Sequence, residues 1–270
     1  MADNPGKVEA EGPAKLVDYD TDPQYDHRVI LFYDVLGWRN EIEIAGKQPE
    51  KIGNLRRLIL QHSRSLRLPT ASPVNVSTFS DNIVVSLKPG KAIPFFLREI
   101  AFLQFATATH GFLIRGGISV GDIIHDSEVV FGPGLNRAYE LESTVAKFTR
   151  IVVDGEVIKN FDSISGFVAF EDNIYFLDPF RPKFIQLMLD LSDDGPKPHL
   201  REAGLPRENR GLKDVPGDRI LNQVLRKLKA RLKAPLADKE WEKVAWLYDR
   251  IAARLGIALA TSYPRVPPSE

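Results

Sequence analysis

A mixed α+β fold, built on a ferredoxin-like split βαβ core and extended by C-terminal helices, is the architecture this sequence predicts. Three observations carry it. Apolar runs of strand length alternate with segments of helical period in the order β-α-β-β-α-β, followed by a further helix, strand and hairpin. One predicted strand is interrupted by glycines rather than ended by them, a mark of bulges or close backbone approach. Beyond a stretch rich in Pro, Gly and charge, 3.6-residue periodicity returns and adds two helices.

Residues 1–26 mix Gly, Pro, Asp and Glu with few bulky apolar side chains and read as a mobile tail, too polar for a signal peptide. Arg28-Val29-Ile30-Leu31-Phe32 is continuously apolar after its first residue, the pattern of a central strand buried on both faces. Phe32-Tyr33-Asp34-Val35-Leu36-Gly37-Trp38 then runs into a sharp turn, with Asp34 at the strand's mouth. It leaves bare backbone N–H groups beyond Gly37, where phosphate oxygens could sit against the start of a helix. Ile52, Leu55, Leu58, Ile59, His62 and Leu66 repeat at helical spacing, which puts His62 at the edge of the core. Val74-Asn75-Val76 and Ile83-Val84-Val85 flank Ser80-Asp81-Asn82, a hairpin with a polar tip.

Residues 93–108 are apolar all round, so this helix must be covered all round, by the sheet on one side and another subunit on the other. Gly111 suits its left-handed cap. Residues 112–121 form the glycine-interrupted strand, 122–131 continue as strand or loop, and Gly132-Pro133-Gly134 breaks the run. Leu135, Ala138, Tyr139, Leu141, Glu142 and Val145 then describe a helix with Asn136, Arg137 and Glu140 on its polar side. Arg150-Ile151-Val152-Val153 is a strand, and residues 167–177 a hairpin around Asp172-Asn173. Residues 192–217 read as a loop or linker. In 218–270, Ile220, Leu221, Val224, Leu225, Leu228 and Leu232 stripe one helix, with Arg226, Lys227, Lys229, Arg231 and Lys233 as a solvated basic face. Trp241, Val244, Ala245, Tyr248, Ile251, Ala252 and Leu255 stripe a second, and both pack on the core or on a neighbour.

Composition narrows the chemistry. Lys+Arg 36 against Asp+Glu 36 argues against wholesale binding of nucleic acid or an anionic membrane, and Cys 0 excludes disulfides and thiolate catalysis. No stretch approaches the ~20 apolar residues of a membrane span, so a soluble, cytoplasmic protein is expected. Singly, Asp34 and Asp81 are each explained by turn chemistry. Together they lie on adjacent central elements of a ferredoxin-like sheet, within reach of shared divalent ions, and hard oxygen donors select Mg²⁺ or Mn²⁺.

The segment 32–38 resembles the first metal motif of class III nucleotidyl cyclases. Ser80-Asp81-Asn82 resembles their second, with Ser80 in place of the usual glycine. Arg115-Gly116-Gly117-Ile118 with Gly121 resembles their Arg-x-Gly-Ile strand, and Gly134-Leu135-Asn136-Arg137-Ala138 with Leu141-Glu142 the helix of their catalytic Asn. By offset, the positions that read adenine fall on Ser77 and Val129, which cannot make those contacts. The Asn-Arg-Ala-Tyr-Glu-Leu-Glu run, Arg150-Ile-Val-Val-Asp and Lys243-Val-Ala-Trp-Leu-Tyr248 look like the pyrimidine cyclases of bacterial antiphage (Pycsar) systems.

That resemblance implies a homodimer with shared active sites, converting UTP, or alternatively CTP, to a cyclic nucleotide that acts on a separate effector. Asp34, Asp81 and the Val35 carbonyl would hold two Mn²⁺ or Mg²⁺ ions. Phe32, Leu36, Gly37, Trp38 and Arg115 would bind substrate, while Asn136 and Arg137 would act across the dimer from Asp34. The usual transition-state arginine position is Glu140 here, which leaves Arg137 and Arg115 as candidates. A purine cyclase and a silent nucleotide-binding sensor are the rival readings. On this view residues 27–191 are the catalytic domain and 218–270 the C-terminal helices.

Overall fold

The computed structural model describes residues 24–66, 73–159, 166–191 and 217–260; residues 1–23 of the expected tail over 1–26 and 192–216 of the expected linker over 192–217 lie outside them, while Asp26 opens a strand and Gly217 a helix. The elements are β1 (Asp26–Leu36), α1 (Trp38–Ala45), α2 (Pro49–Ser65), β2 (Val74–Phe79), β3 (Asn82–Leu87), α3 (Ile93–Thr109), β4 (Leu113–His125) and β5 (Val130–Phe131). There follow α4 (Pro133–Glu140), a π-helical segment (Leu141–Ala146), β6 (Ile151–Val153), α5 (Gly155–Ile158), β7 (Val168–Glu171), β8 (Ile174–Leu177), α6 (Pro182–Leu191), α7 (Gly217–Leu232) and α8 (Asp238–Leu255). The sheet order is β2-β3-β1-β4-β6-β8-β7, with β5 paired to the end of β4. Its first four strands are antiparallel in the split βαβ order, as expected. β6 then joins β4 in parallel, and the β7–β8 hairpin closes the far edge.

Alternation along β1 divides the molecule into two layers. Val29, Leu31, Tyr33 and Val35 enter the main core beneath α3, whereas Ile30 and Phe32 pack toward α4 with Val84, Ile123 and Ala138. Phe96, Leu97, Ile100, Phe102, Leu103 and Phe105 of α3 are all buried. The face expected to meet another subunit is covered within the chain instead. Ile220, Val224 and Leu228 of α7, Val244, Tyr248 and Ile251 of α8, and Phe184 of α6 complete the same core. Each such side chain contributes about 1.5–3 kcal/mol on burial, which is why α3 carries no polar face. His62 lies fully inside this core rather than at its edge, bonded to the Tyr33 hydroxyl (3.1 Å) and Thr107 Oγ1 (3.0 Å). Burial lowers its pKa to about 3 and keeps it neutral.

The glycines of β4 are sites of close approach, and the strand runs through them unbroken. A Cβ on Gly117 would collide with the Ala138 carbonyl, and one on Gly121 would lie 2.9 Å from the Gly134 Cα, so these positions let α4 sit directly on the sheet. The C-terminal helices are tied down by charge as well. Asp178, after β8, is 1 % exposed and accepts from Arg250 (Nε 3.0 Å, Nη2 2.7 Å) and Arg254 (Nη1 3.2 Å, Nη2 2.5 Å). Burial pushes this carboxyl up, but the hydrogen bonds from Arg254 and Arg250 together outweigh it and hold it below the usual range.

Asp178→Ala is expected to cost about 3 kcal/mol, since it takes the carboxylate from Arg254 and leaves Arg250 only its pair with Glu171. A depressed carboxylate contributes stability above its unfolded pKa and loses it as pH falls through the folded one. The gap between wild type and variant in urea unfolding should therefore shrink in acid. A gap below about 1 kcal/mol at pH 7, the worth of a surface pair, would make this tie incidental.

Candidate functional site

β1 extends through Asp34 to Leu36, so Asp34 lies inside the strand on the α4 side, two residues short of the turn where the sequence had placed it. The β1–β4 register sets Asp34 opposite Arg115. Arg115 Nη2 reaches Asp34 Oδ2 at 3.3 Å and also ion-pairs with Glu142, a buried residue of the π segment. On the other side, the β1–β3 register ends at Tyr33↔Ile83, which brings the β2–β3 turn and Asp81 alongside Asp34. Ser80, where the family motif has glycine, adopts φ 57, a conformation that costs a non-glycine residue roughly 1 kcal/mol.

Burial raises the Asp34 pKa; Arg115 offsets part of this, the Asp81 charge raises it further, and Lys243 lowers it. Burial and the Asp34 charge likewise raise Glu142 to about 7, against the opposing pull of Arg115. Asp34 Oδ1 is buried and has no hydrogen-bond partner among the described residues. An orphaned carboxylate oxygen beside a second carboxylate fits a hard divalent cation. No group of three or more His, Asp or Glu side chains suited to a metal ion occurs among the described residues. Two carboxylates would suit a hard divalent ion that takes its remaining ligands from outside the protein, not an all-protein cage.

Past Leu36 the chain turns at Gly37 (φ 79), and α1 begins at Trp38 with no side chain capping its N-terminus. Trp38 is buried in the main core, so only its backbone is offered to a ligand. The Leu36 carbonyl accepts from Arg231 Nη2 at 3.3 Å, and the Gly111 carbonyl from Arg231 Nη1 at 3.4 Å. Arg231 is thus not part of a solvated basic face: it staples α7 to this end of the sheet. Glycine at 37 is favoured by its φ, and a Cβ there would also push aside the Arg231 guanidinium, whose Nη2 lies 2.5 Å away.

Asn136 and Arg137 lie on the exposed side of α4, and no hydrogen bond or ion pair joins either to Asp34 or Asp81 among the described residues. Arg137 is held by Glu140 (2.9 Å) and Asp154 (3.1 Å). The Phe32 ring meets Tyr139 of α4 edge-on, with centroids 5.4 Å apart. Ser77 bonds His125 Nε2 at 3.0 Å, and Val129 is exposed. One chain therefore gathers Asp34, Asp81, Arg115 and the Gly37 turn, and leaves Asn136 and Arg137 facing outward. Residues given no role from sequence also join the site: Glu142, Arg231 and, from α8, Lys243. Their positions within quoted motifs or basic stripes carried no hint of it.

No protein-family model matches the chain, and no curated protein matches it. Among solved structures it is similar to the adenylyl cyclase CyaB from P. aeruginosa, at 15% identity and TM-score 0.41, covering 57% of this chain and 94% of that one. It is also similar to an adenylate/guanylate cyclase/hydrolase from Silicibacter pomeroyi (18% identity, TM-score 0.41, 58% of this chain, 99% of that one). A class III adenylyl cyclase-like ATP-binding protein from Pseudomonas aeruginosa aligns more widely (13% identity, TM-score 0.39, 81% of this chain, 48% of that one). Likenesses of this size do not carry an activity across.

Proposed function

We propose that the chain is a nucleotidyl cyclase of the class III type that acts on a pyrimidine nucleoside triphosphate, UTP in preference to CTP, and supplies a cyclic nucleotide signal in antiphage defence. The observation that carries this reading is the pairing of Asp34, with its orphaned buried oxygen, and Asp81 on neighbouring central elements of a split βαβ sheet. Asp34, Asp81 and the Val35 carbonyl would hold Mn²⁺ or Mg²⁺, which when bound lowers the pKa of the 3′-hydroxyl and neutralises the phosphates. The reaction joins the ribose 3′-oxygen to the α-phosphorus and releases pyrophosphate.

The chain's own residues have separable tasks. The uncapped N–H groups after Gly37 are positioned to bind phosphate oxygens. Arg115 keeps the Asp34 carboxylate in place, and Glu142 fixes Arg115 from behind. Ser77, engaged by His125, and the apolar Val129 offer neither the cation nor the carboxylate that would read adenine. The outward-facing Asn136 and Arg137 suit a site completed by a second copy. Exposed Phe79, Phe131 and Tyr139 give that copy an apolar surface on the same side.

Purified protein incubated with Mn²⁺ and each of the four nucleoside triphosphates in turn, with products separated, tests the reading. A cyclic pyrimidine nucleotide and pyrophosphate are expected. A cyclic purine would sink the pyrimidine assignment. Silence with all four would leave a nucleotide-binding sensor.

A further inference from the structure

We propose that Lys243, delivered by α8, contacts the polyphosphate of the nucleotide, which makes the C-terminal helices part of the site. The inference rests on the cyclase reading above and adds to it a residue from outside the sheet core.

Two fixed points place the residue. The Lys243 carbonyl accepts from Thr149 Oγ1 at 3.4 Å, next to the start of β6, and Glu240, three residues earlier, brings its Oε1 within 3.7 Å of the Cβ position on Gly37. Residues three apart share a helix face, and Trp241 and Val244 beside them are buried and hold the helix against the core. The face carrying Glu240 and Lys243 therefore lies by the Gly37 turn and the start of β6, with Lys243 near enough to Arg115, Asp34 and Glu142 to feel their charges.

Three of the arginines already described are engaged. Arg115 is engaged between Asp34 and Glu142, Arg137 between Glu140 and Asp154, and Arg231 by two backbone carbonyls. The half-buried Lys243 ammonium has no hydrogen bond or ion pair among the described residues. Burial and Arg115 push its pKa down, while Asp34, Glu240 and Glu142 pull it up. A partly desolvated ammonium is costly until an anion joins it, and lysine binds phosphate as a mobile point charge. A polyphosphate seated on the Gly37 turn provides that anion. It also accounts for a lysine here, next to carboxylates that it never directly pairs with.

The test compares wild type, Lys243→Met, which keeps the apolar stem, and Lys243→Arg, which keeps the charge. Inorganic triphosphate affinity is measured by calorimetry in Mn²⁺, with KM for whichever nucleotide the wild type cyclises and a thermal melt of each protein. Lys243→Met is expected to weaken triphosphate binding and raise KM by about tenfold or more, the worth of one charge-assisted contact. The melt should be unchanged, and Lys243→Arg should recover most of the binding. Equal binding by wild type and Lys243→Met, or a loss that tracks only a lowered melt and that arginine does not recover, overturns the proposal while leaving the cyclase reading standing. If the wild type binds no triphosphate at all, both fall together.

Discussion

Asp34→Asn should reduce turnover by about 1,000-fold or more, the scale on which a positioned charge at a transferring phosphoryl group acts, while leaving the protein folded. The fold is indifferent for a physical reason. Burial already raises the pKa of this carboxyl, so its charge is carried at a cost, and Arg115 keeps Glu142 as a partner when Asp34 is neutralised. The thermal midpoint should fall by no more than a few degrees. Product formation by the variant at near wild-type rates in Mn²⁺ would remove Asp34 from the chemistry. A collapsed midpoint would mean that Asp34 serves the sheet instead.

Mixing Asp34→Ala chains with Asn136→Ala chains, each inactive alone, is expected to restore activity. In a two-fold dimer with shared sites each heterodimer has one intact site of two, so the purified heterodimer should run at about half the wild-type rate. The outward direction of α4 underlies this expectation: Asn136 and Arg137 sit on its exposed side, in the same chain as an Asp34 they do not touch. Co-expressed, differently tagged chains purified through both tags provide the measurement. An inactive heterodimer that is folded and dimeric would mean that Asn136 serves the same chain's Asp34 and not its partner's.

The sheet was legible because its signals are local. Alternation, glycines inside a strand and turn residues such as Asp172-Asn173, which take φ 52 and 62, reveal strands and their order without tertiary information. The nearness of Asp34 and Asp81 was legible for a related reason, since adjacent strands in a known order bring such residues together. What covers α3 was not legible. An all-apolar helix demands a cover but does not say whether a neighbour or a distant segment of the same chain provides it, and α7 and α8 lie far along the sequence. Arg231 and Lys243 were hidden by the same distance. On α7, Arg231 is one of several basic residues at exposed-face spacing, and only the docking of that helix against Gly37 and Gly111 separates it from Lys227 or Lys233. Spacing had already set Glu142 on the packed stripe of its helix, but its partner Arg115 lies on another element, and nothing local says that a carboxylate there meets it.

The burial of α3 by α7 and α8 also shapes how the protein must be made. Thr109 leaves the ribosome well before Leu232 does, an interval of roughly 5–25 s at typical synthesis rates. Throughout it the nascent chain carries α3 without the apolar residues of α7 and α8 that complete its core. The same delay keeps Arg231 and Lys243 away from the Gly37 turn until synthesis has reached the final helices, so no partly made chain has the complete site.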